Sequence, residues 1–337
     1  MIERATHIER FLIQAGWSDA KREPLPGDAS FRRYVRLYGA EKRRALLMDA
    51  PPPQENVRAY LAVARLLRGL GFGAPTIMNQ DAENGLLLIE DLGDDTYTRL
   101  LARGEDEEPL YALAVDVLAE LARRFRPKEA KFLPPYDDER LLNEAALLTD
   151  WYLPAVSGQP TSPELRAEYL ALWRGLLPAA RKAPATLVLR DYHVDNLMRV
   201  DKRSGLMMCG LLDFQDAVLG PQSYDLVSLL EDSRRDVPPA LAQRMRTRYL
   251  AGFPALDRAA FDISYTVLGA QRHAKVIGIF TRLCVRDGKP QYLAHIPRLW
   301  RMLEQNFSHP VLAPIARWFD THIPASLRRI PSIPAAS

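Results

Sequence analysis

Three short apolar runs, residues 186–190, 197–200 and 207–213, interrupt a chain that otherwise keeps a helical period from about residue 96 nearly to its end. Runs of that length bounded by polar turns read as strands. Such a chain must place a small group of strands inside a helical body, with the loops between them on rigid supports. Upstream the pattern differs. Residues 2–15 read as a helix with Ile2, Ile8, Phe11 and Leu12 roughly on one face. Residues 31–38 alternate as a strand, with Phe31, Arg33, Val35 and Leu37 on one side and Arg32, Tyr34, Arg36 and Tyr38 on the other. A turn leads to a second strand over 44–49, Pro51-Pro52-Pro53 to a long helix over 54–70, and residues 85–90 to a short buried strand.

The polar loops fall where those strands end. Leu189-Arg190-Asp191-Tyr192-His193-Val194-Asp195-Asn196 places an Asn five residues after an Asp, a spacing used in phosphoryl transfer. There the Asp accepts the proton of a substrate hydroxyl and the Asn carbonyl coordinates Mg2+. Asp213, closing the next strand in Leu212-Asp213-Phe214-Gln215-Asp216, supplies the second hard oxygen that Mg2+ needs. A hairpin over 197–213 would carry both loops to one end. Gly27, Asp28, Ala29 and Ser30 form a small-residue turn ahead of a strand, a place where backbone N–H groups can approach the phosphates of ATP. It is not a Walker A loop, since no GK[ST] follows. Glu90 and Leu92 sit where a buried strand runs into a turn, and backbone there can pair with an adenine edge.

Composition narrows the alternatives. Net charge is +3 and the 45 Lys and Arg are spread along the chain, which argues against a nucleic-acid partner. No apolar run reaches membrane-spanning length, and the charged N-terminus lacks a signal-peptide core, so the expected location is cytoplasmic. Cys209 and Cys284 are far apart and lack CxxC spacing, which argues against a disulfide framework and a zinc site. No protein partner is implied.

These motifs, in this order, resemble the aminoglycoside phosphotransferase and choline kinase superfamily. Within it, Met48-Asp49-Ala50-Pro51, Asp213-Phe214-Gln215-Asp216-Ala217, Tyr224-Asp225-Leu226-Val227 and Gln271-Arg272-His273-Ala274-Lys275 look like the bacterial anomeric N-acetylmuramate/N-acetylglucosamine kinases of cell-wall recycling. The resemblance implies an α+β, protein-kinase-like two-lobed fold. Residues 1–93 would form the N-lobe, with an antiparallel sheet and one long helix. Residues 94–323 would form a helical C-lobe carrying the catalytic and metal loops, and 324–337 a frayed tail. It implies an ATP-dependent sugar kinase with Asp191 as base and Asn196 and Asp213 on Mg2+. His193, Gln215, Asp216, Arg272 and His273 are candidates to face the amino sugar, a plain solvated helix face being the competing reading for the last two. Asp225 is expected to tie the catalytic loop through backbone N–H groups.

Two positions depart from the wider superfamily. Leu189 stands where a His is usual, and Met48 stands where a Lys usually grips the nucleotide phosphates. Arg32, Arg33 and Arg44 are the candidate replacements, with Arg33 counted among the nucleotide-binding residues. Between residues 264 and 305 seven Lys or Arg face two acids, a bias that disfavours a polycationic acceptor and favours the lactyl carboxylate of N-acetylmuramate. A kinase for another small-molecule hydroxyl, and a pseudokinase without activity, stay open as alternatives.

Overall fold

The alternation over residues 31–49 builds a sheet with two unlike faces. The computed structural model describes residues 2–26 and 31–332. Its strands are β1 (Lys21–Pro24), β2 (Arg33–Tyr38), β3 (Arg44–Asp49), β4 (Ile77–Asp81) and β5 (Leu86–Glu90), and they form one antiparallel sheet in the order β1-β2-β3-β5-β4. The register pairs Val35 with Leu47, and Leu47 with Leu88. Leu37, Ala45, Leu47, Leu86 and Leu88 therefore share a face and pack on Phe11, Leu12 and Trp17, at or just beyond the end of helix Ile2–Gln14. Each such fully buried side chain contributes about 1.5–3 kcal/mol. Asp49 on this face bonds Arg4 of the helix at 2.9 Å through Nε. Helix Val57–Gly69 starts three residues later than its period suggested, because Asn56 caps it by accepting the N–H of Arg58.

The chain forms two compact units, Met1–Val117 with Val194–Ala217, and Leu118–His193 with Val218–Ser337. In the first, β7 (Leu197–Arg199) and β8 (Cys209–Leu211), which follow β6 (Ala185–Val188) in the chain, make the expected hairpin, with Leu197 opposite Leu211 and Met198 opposite Gly210. The second unit holds β6 (Ala185–Val188), paired antiparallel with β9 (Val218–Pro221). Around that pair it is helical. Helix Arg258–Asp287 runs 30 residues, capped by Asp257 at its start and by Gly288 at φ +65° at its end. Its buried residues extend from Phe261 to Leu283, so it is a core helix, surrounded by Tyr169, Trp173, Trp300 and Phe319 among others. Residues 325–329, in the stretch whose composition suggests fraying, are held: Tyr152 Oη bonds Leu327 O at 2.7 Å and the N–H of Arg329 at 3.0 Å. No helix among the described residues is long and apolar enough to cross a membrane.

Candidate functional site

Each unit carries one polar centre. In the first, the face of the sheet opposite helix Ile2–Gln14 borders a cavity of about 380 Å³. Its apolar wall includes Leu46, Ile89, Leu92, Met198 and Leu212, and its polar end includes Arg32, Asn196 and Asp213. That volume lies within the range of small-molecule sites. Glu90 and Leu92 both line it. Glu90 Oε2 is occupied by the N–H of Thr76 at 3.0 Å and by Arg203 at 2.6 Å. Tyr60 closes one side, stacked on Phe214 with ring centroids 4.8 Å apart. Gly27, Asp28, Ala29 and Ser30 lie outside the described residues.

The hairpin fixes how Asn196 and Asp213 relate. Asn196 enters β7 and Asp213 leaves β8, and Leu212 N–H donates to Asn196 O at 3.0 Å. Asp213 has φ +55°, a conformation L-residues rarely hold without surrounding support. Gln215 Nε2 donates to Asp213 Oδ1 at 3.0 Å and to the exposed Asp216 at 3.1 Å. One carboxylate and one amide oxygen on a single cavity suit Mg2+, which takes few ligands from protein and the rest from phosphate and water. Among the described residues no group of three or more His, Cys, Asp or Glu could hold a metal ion.

The arginines separate by face. Arg32, Tyr34 and Arg36 point to the cavity, while Arg33 lies on the helix side of the sheet, 3.4 Å from Asp49, with its side chain 68% exposed. Arg36 is committed to Asp91 and Asp94, each at 3.0 Å, and Arg44 stands 3.5 Å from Asp91. Met48 is fully buried.

In the second unit the centre is the backbone around Asp191. Arg190 has φ +71° and Asp191 N–H donates to Leu189 O at 2.9 Å, a three-residue turn of the rare left-handed γ type. Buried Asp225 holds it, accepting the N–H of Leu189 at 2.6 Å and of Arg190 at 2.9 Å. Burial pushes the Asp225 carboxyl up to about 7, against the opposite pull of these two donors. The Arg190 side chain bonds Glu144, which also takes Lys275 Nζ at 2.9 Å. Burial opposes all three charges, yet the partners hold Glu144 below and Lys275 above their ordinary values. Sequence reasoning missed Glu144, since nothing local marks a carboxylate whose partners lie 46 and 131 residues away.

The remaining candidates are buried. His193 faces Arg234 at 3.2 Å, and burial with the nearby Arg234 and Arg272 keeps its imidazole neutral near pH 7. His273 is bonded through Nδ1 to Asn306 at 2.9 Å, with Nε2 3.4 Å from Glu231. Arg272 is 3% exposed. The cationic bias of residues 264–305 is largely neutralised. Lys275 pairs with Glu144, Arg286 with Asp287, and Arg298 and Arg301 with Asp236. A cavity of about 420 Å³ in this unit is lined by Glu231, Asp232 and Asp236 together with Arg235, Arg246 and Arg301, so its charges balance.

Asn196 and Asp213 line one cavity of the first unit, and Asp191 follows a braced turn in the second. Residues 21–261 match the model of the phosphotransferase enzyme family. The chain is 37% identical to an N-acetylmuramate/N-acetylglucosamine kinase of Caulobacter vibrioides, with 97% of this chain and 99% of that protein covered. A protein of the same description from Pseudomonas aeruginosa is 40% identical over 88% of each chain. Of the solved structures, a choline/ethanolamine kinase family protein from Mesorhizobium loti superposes with a TM-score of 0.61 at 14% identity, covering 97% of this chain and 99% of that one. The GDP complex of an aminoglycoside 2'-phosphotransferase gives 0.60 at 16% identity, covering 90% and 99%. The chain belongs to the phosphotransferase enzyme family. It is a kinase with the α+β, protein-kinase-like fold of those structures.

Proposed function

We propose that this kinase transfers the γ-phosphoryl group of ATP to the anomeric hydroxyl of N-acetylmuramate, N-acetylglucosamine or both. The observation that carries the acceptor is the 37% identity over 97% of the chain to a kinase named for those two sugars. The residue roles follow from the local geometry. The apolar wall of Leu46, Ile89, Leu92 and Met198 takes the base of the nucleotide, with Glu90 and Leu92 at its edge. Asn196 and Asp213 would hold magnesium, which would supply positive charge against the phosphate oxygens.

Asp191 orients the acceptor hydroxyl and takes its proton as the new O–P bond forms. An anomeric hydroxyl is more acidic than an ordinary alcohol, so a carboxylate is a sufficient base. Asp225 and the Glu144–Lys275 pair keep the turn at Arg190 from relaxing, which fixes the direction of the Asp191 carboxylate. Since phosphoryl transfer depends on positioning and electrostatics, that bracing supports the base.

The test is phosphorus NMR of the purified protein with Mg-ATP and, separately, N-acetylmuramate, N-acetylglucosamine and kanamycin. An anomeric phosphate signal with the amino sugars, absent in Asp191→Asn, is expected. A kanamycin phosphate without a sugar product would replace the acceptor assignment.

A further inference from the structure

At the polar end of the first unit's cavity a guanidinium sits on one oxygen of a proposed metal ligand. Arg32 Nη2 lies 2.8 Å from Asp213 Oδ1. Its Nε lies 3.7 Å from Glu55 Oε2, and Glu55 Oε1 in turn accepts the N–H of Phe31 at 3.2 Å. The Arg32 side chain is 12% exposed. A guanidinium is protonated at every accessible pH, so the charge is permanent. The other described arginines of this cavity are engaged elsewhere: Arg36 with Asp91 and Asp94, and Arg99 with Asp94 O at 3.1 Å. The cavity-lining position of β3 next to Met48 is Leu46, which carries no charge.

A divalent cation on Asp213 repels a guanidinium 2.8 Å from Oδ1 and draws off the charge that holds it. When a metal engages Asp213 the Arg32 contact is weakened, and Glu55 keeps Arg32 at the same end of the cavity. The new anion there is the polyphosphate that accompanies the metal, and a guanidinium fork matches its oxygens in pairs. We propose that Arg32 is the phosphate-binding cation of this kinase. It contacts Asp213 and passes to the di- or triphosphate of a nucleotide that brings a metal to that carboxylate. This rests on the reading of the cavity as a nucleotide site.

Calorimetric titration of the full-length protein with ADP and with adenosine, in Mg2+ and in EDTA, tests it. In Arg32→Met, ADP in Mg2+ should bind about 10- to 100-fold more weakly, the loss of a charge-assisted bond, while adenosine binding is unchanged. Arg32→Lys should recover part of the loss. In EDTA, Asp213→Asn should bind ADP more tightly than the wild type, because Arg32 is released, and that gain should vanish in Asp213→Asn/Arg32→Gln. The Asp213 comparison stands even if Arg32→Met fails to fold. Unchanged ADP affinity in a folded Arg32→Met, or no gain in Asp213→Asn, overturns the proposal. A wild type that binds neither ADP nor adenosine removes the nucleotide reading beneath it.

Discussion

The carboxylate of Asp225 accepts the backbone N–H of Arg190 at 2.9 Å, and so holds a residue at φ +71° one position before the proposed base. A left-handed φ at a non-glycine residue costs on the order of 1–3 kcal/mol and persists only where its surroundings over-determine it. Asp225→Asn keeps the shape but turns an NH2 toward one of two N–H donors. It should lower kcat about 10- to 100-fold and stability by about 1–3 kcal/mol, the cost of an unsatisfied buried donor. Steady-state kinetics beside urea denaturation measure both, and an unchanged kcat would separate this tie from catalysis.

Asp191→Asn should behave differently. It removes the proton acceptor and leaves the turn intact, so kcat should fall by roughly 10²–10⁴ with little change in melting temperature. Equal losses in the Asp191 and Asp225 variants, both in rate and in stability, would argue that Asp191 only supports the loop.

The Glu144 pair offers a cycle. Glu144→Gln leaves Lys275 and Arg190 buried together without their carboxylate, and should destabilise the protein by about 3–5 kcal/mol. Adding Lys275→Met should return part of that stability. Denaturation of the two single variants and the double variant gives the coupling. Additive losses would show that the three side chains do not act as a unit.

Much of this site could be read from the residues in order. The hairpin followed from two apolar runs separated by a polar turn, and the Asp–Asn spacing with the strand-terminal Asp213 pointed to the loops. The sheet was read only in its middle. β1, with the sequence KREP, and β4, with IMNQD, are polar and largely exposed edge strands, so no alternation marked them. The strand expected to reach residue 190 stops at Val188, because Leu189 and Arg190 give their N–H groups to Asp225 and not to a neighbouring strand. Of Arg32, Arg33 and Arg44, Arg33 is counted from the sequence among the nucleotide-binding residues, but Arg32 lines the cavity and Arg33 does not. The choice depends on which face of β2 borders the cavity, and that face is set by packing against helix Ile2–Gln14.

Buried His273 and Glu231 make a prediction about pH. Burial lowers His273 from 6.5 to about 3 and raises Glu231 from 4.5 to about 7. The histidine's contribution to stability is present above 6.5 and is lost as pH falls toward 3. The carboxyl's is present below 4.5 and is lost as pH rises through 7. Between pH 4.5 and 6.5 the two slopes cancel, since folded and unfolded chains each hold one proton on this pair. Glu231→Gln uncovers the histidine slope. Relative to the wild type, its stability should drop by on the order of 1–3 kcal/mol between pH 6.5 and 4.5. Melting curves of both proteins across that range decide it, and parallel curves would contradict the pairing.

The β7–β8 hairpin joins the two proposed metal ligands through one short antiparallel pair, and this decides where the chain can tolerate a change of length. Asn196 and Asp213 flank the paired residues Leu197 and Leu211, so their separation is set by the ladder and not by the turn that closes it. An insertion at the exposed Ser204–Gly205 end of that turn leaves the ladder as it is. A single deletion within Leu197–Arg199 or Cys209–Leu211 shifts the register by one residue and sends alternate side chains to the opposite face. In any lineage of such chains, gaps should gather at the turn and be absent from the six strand residues.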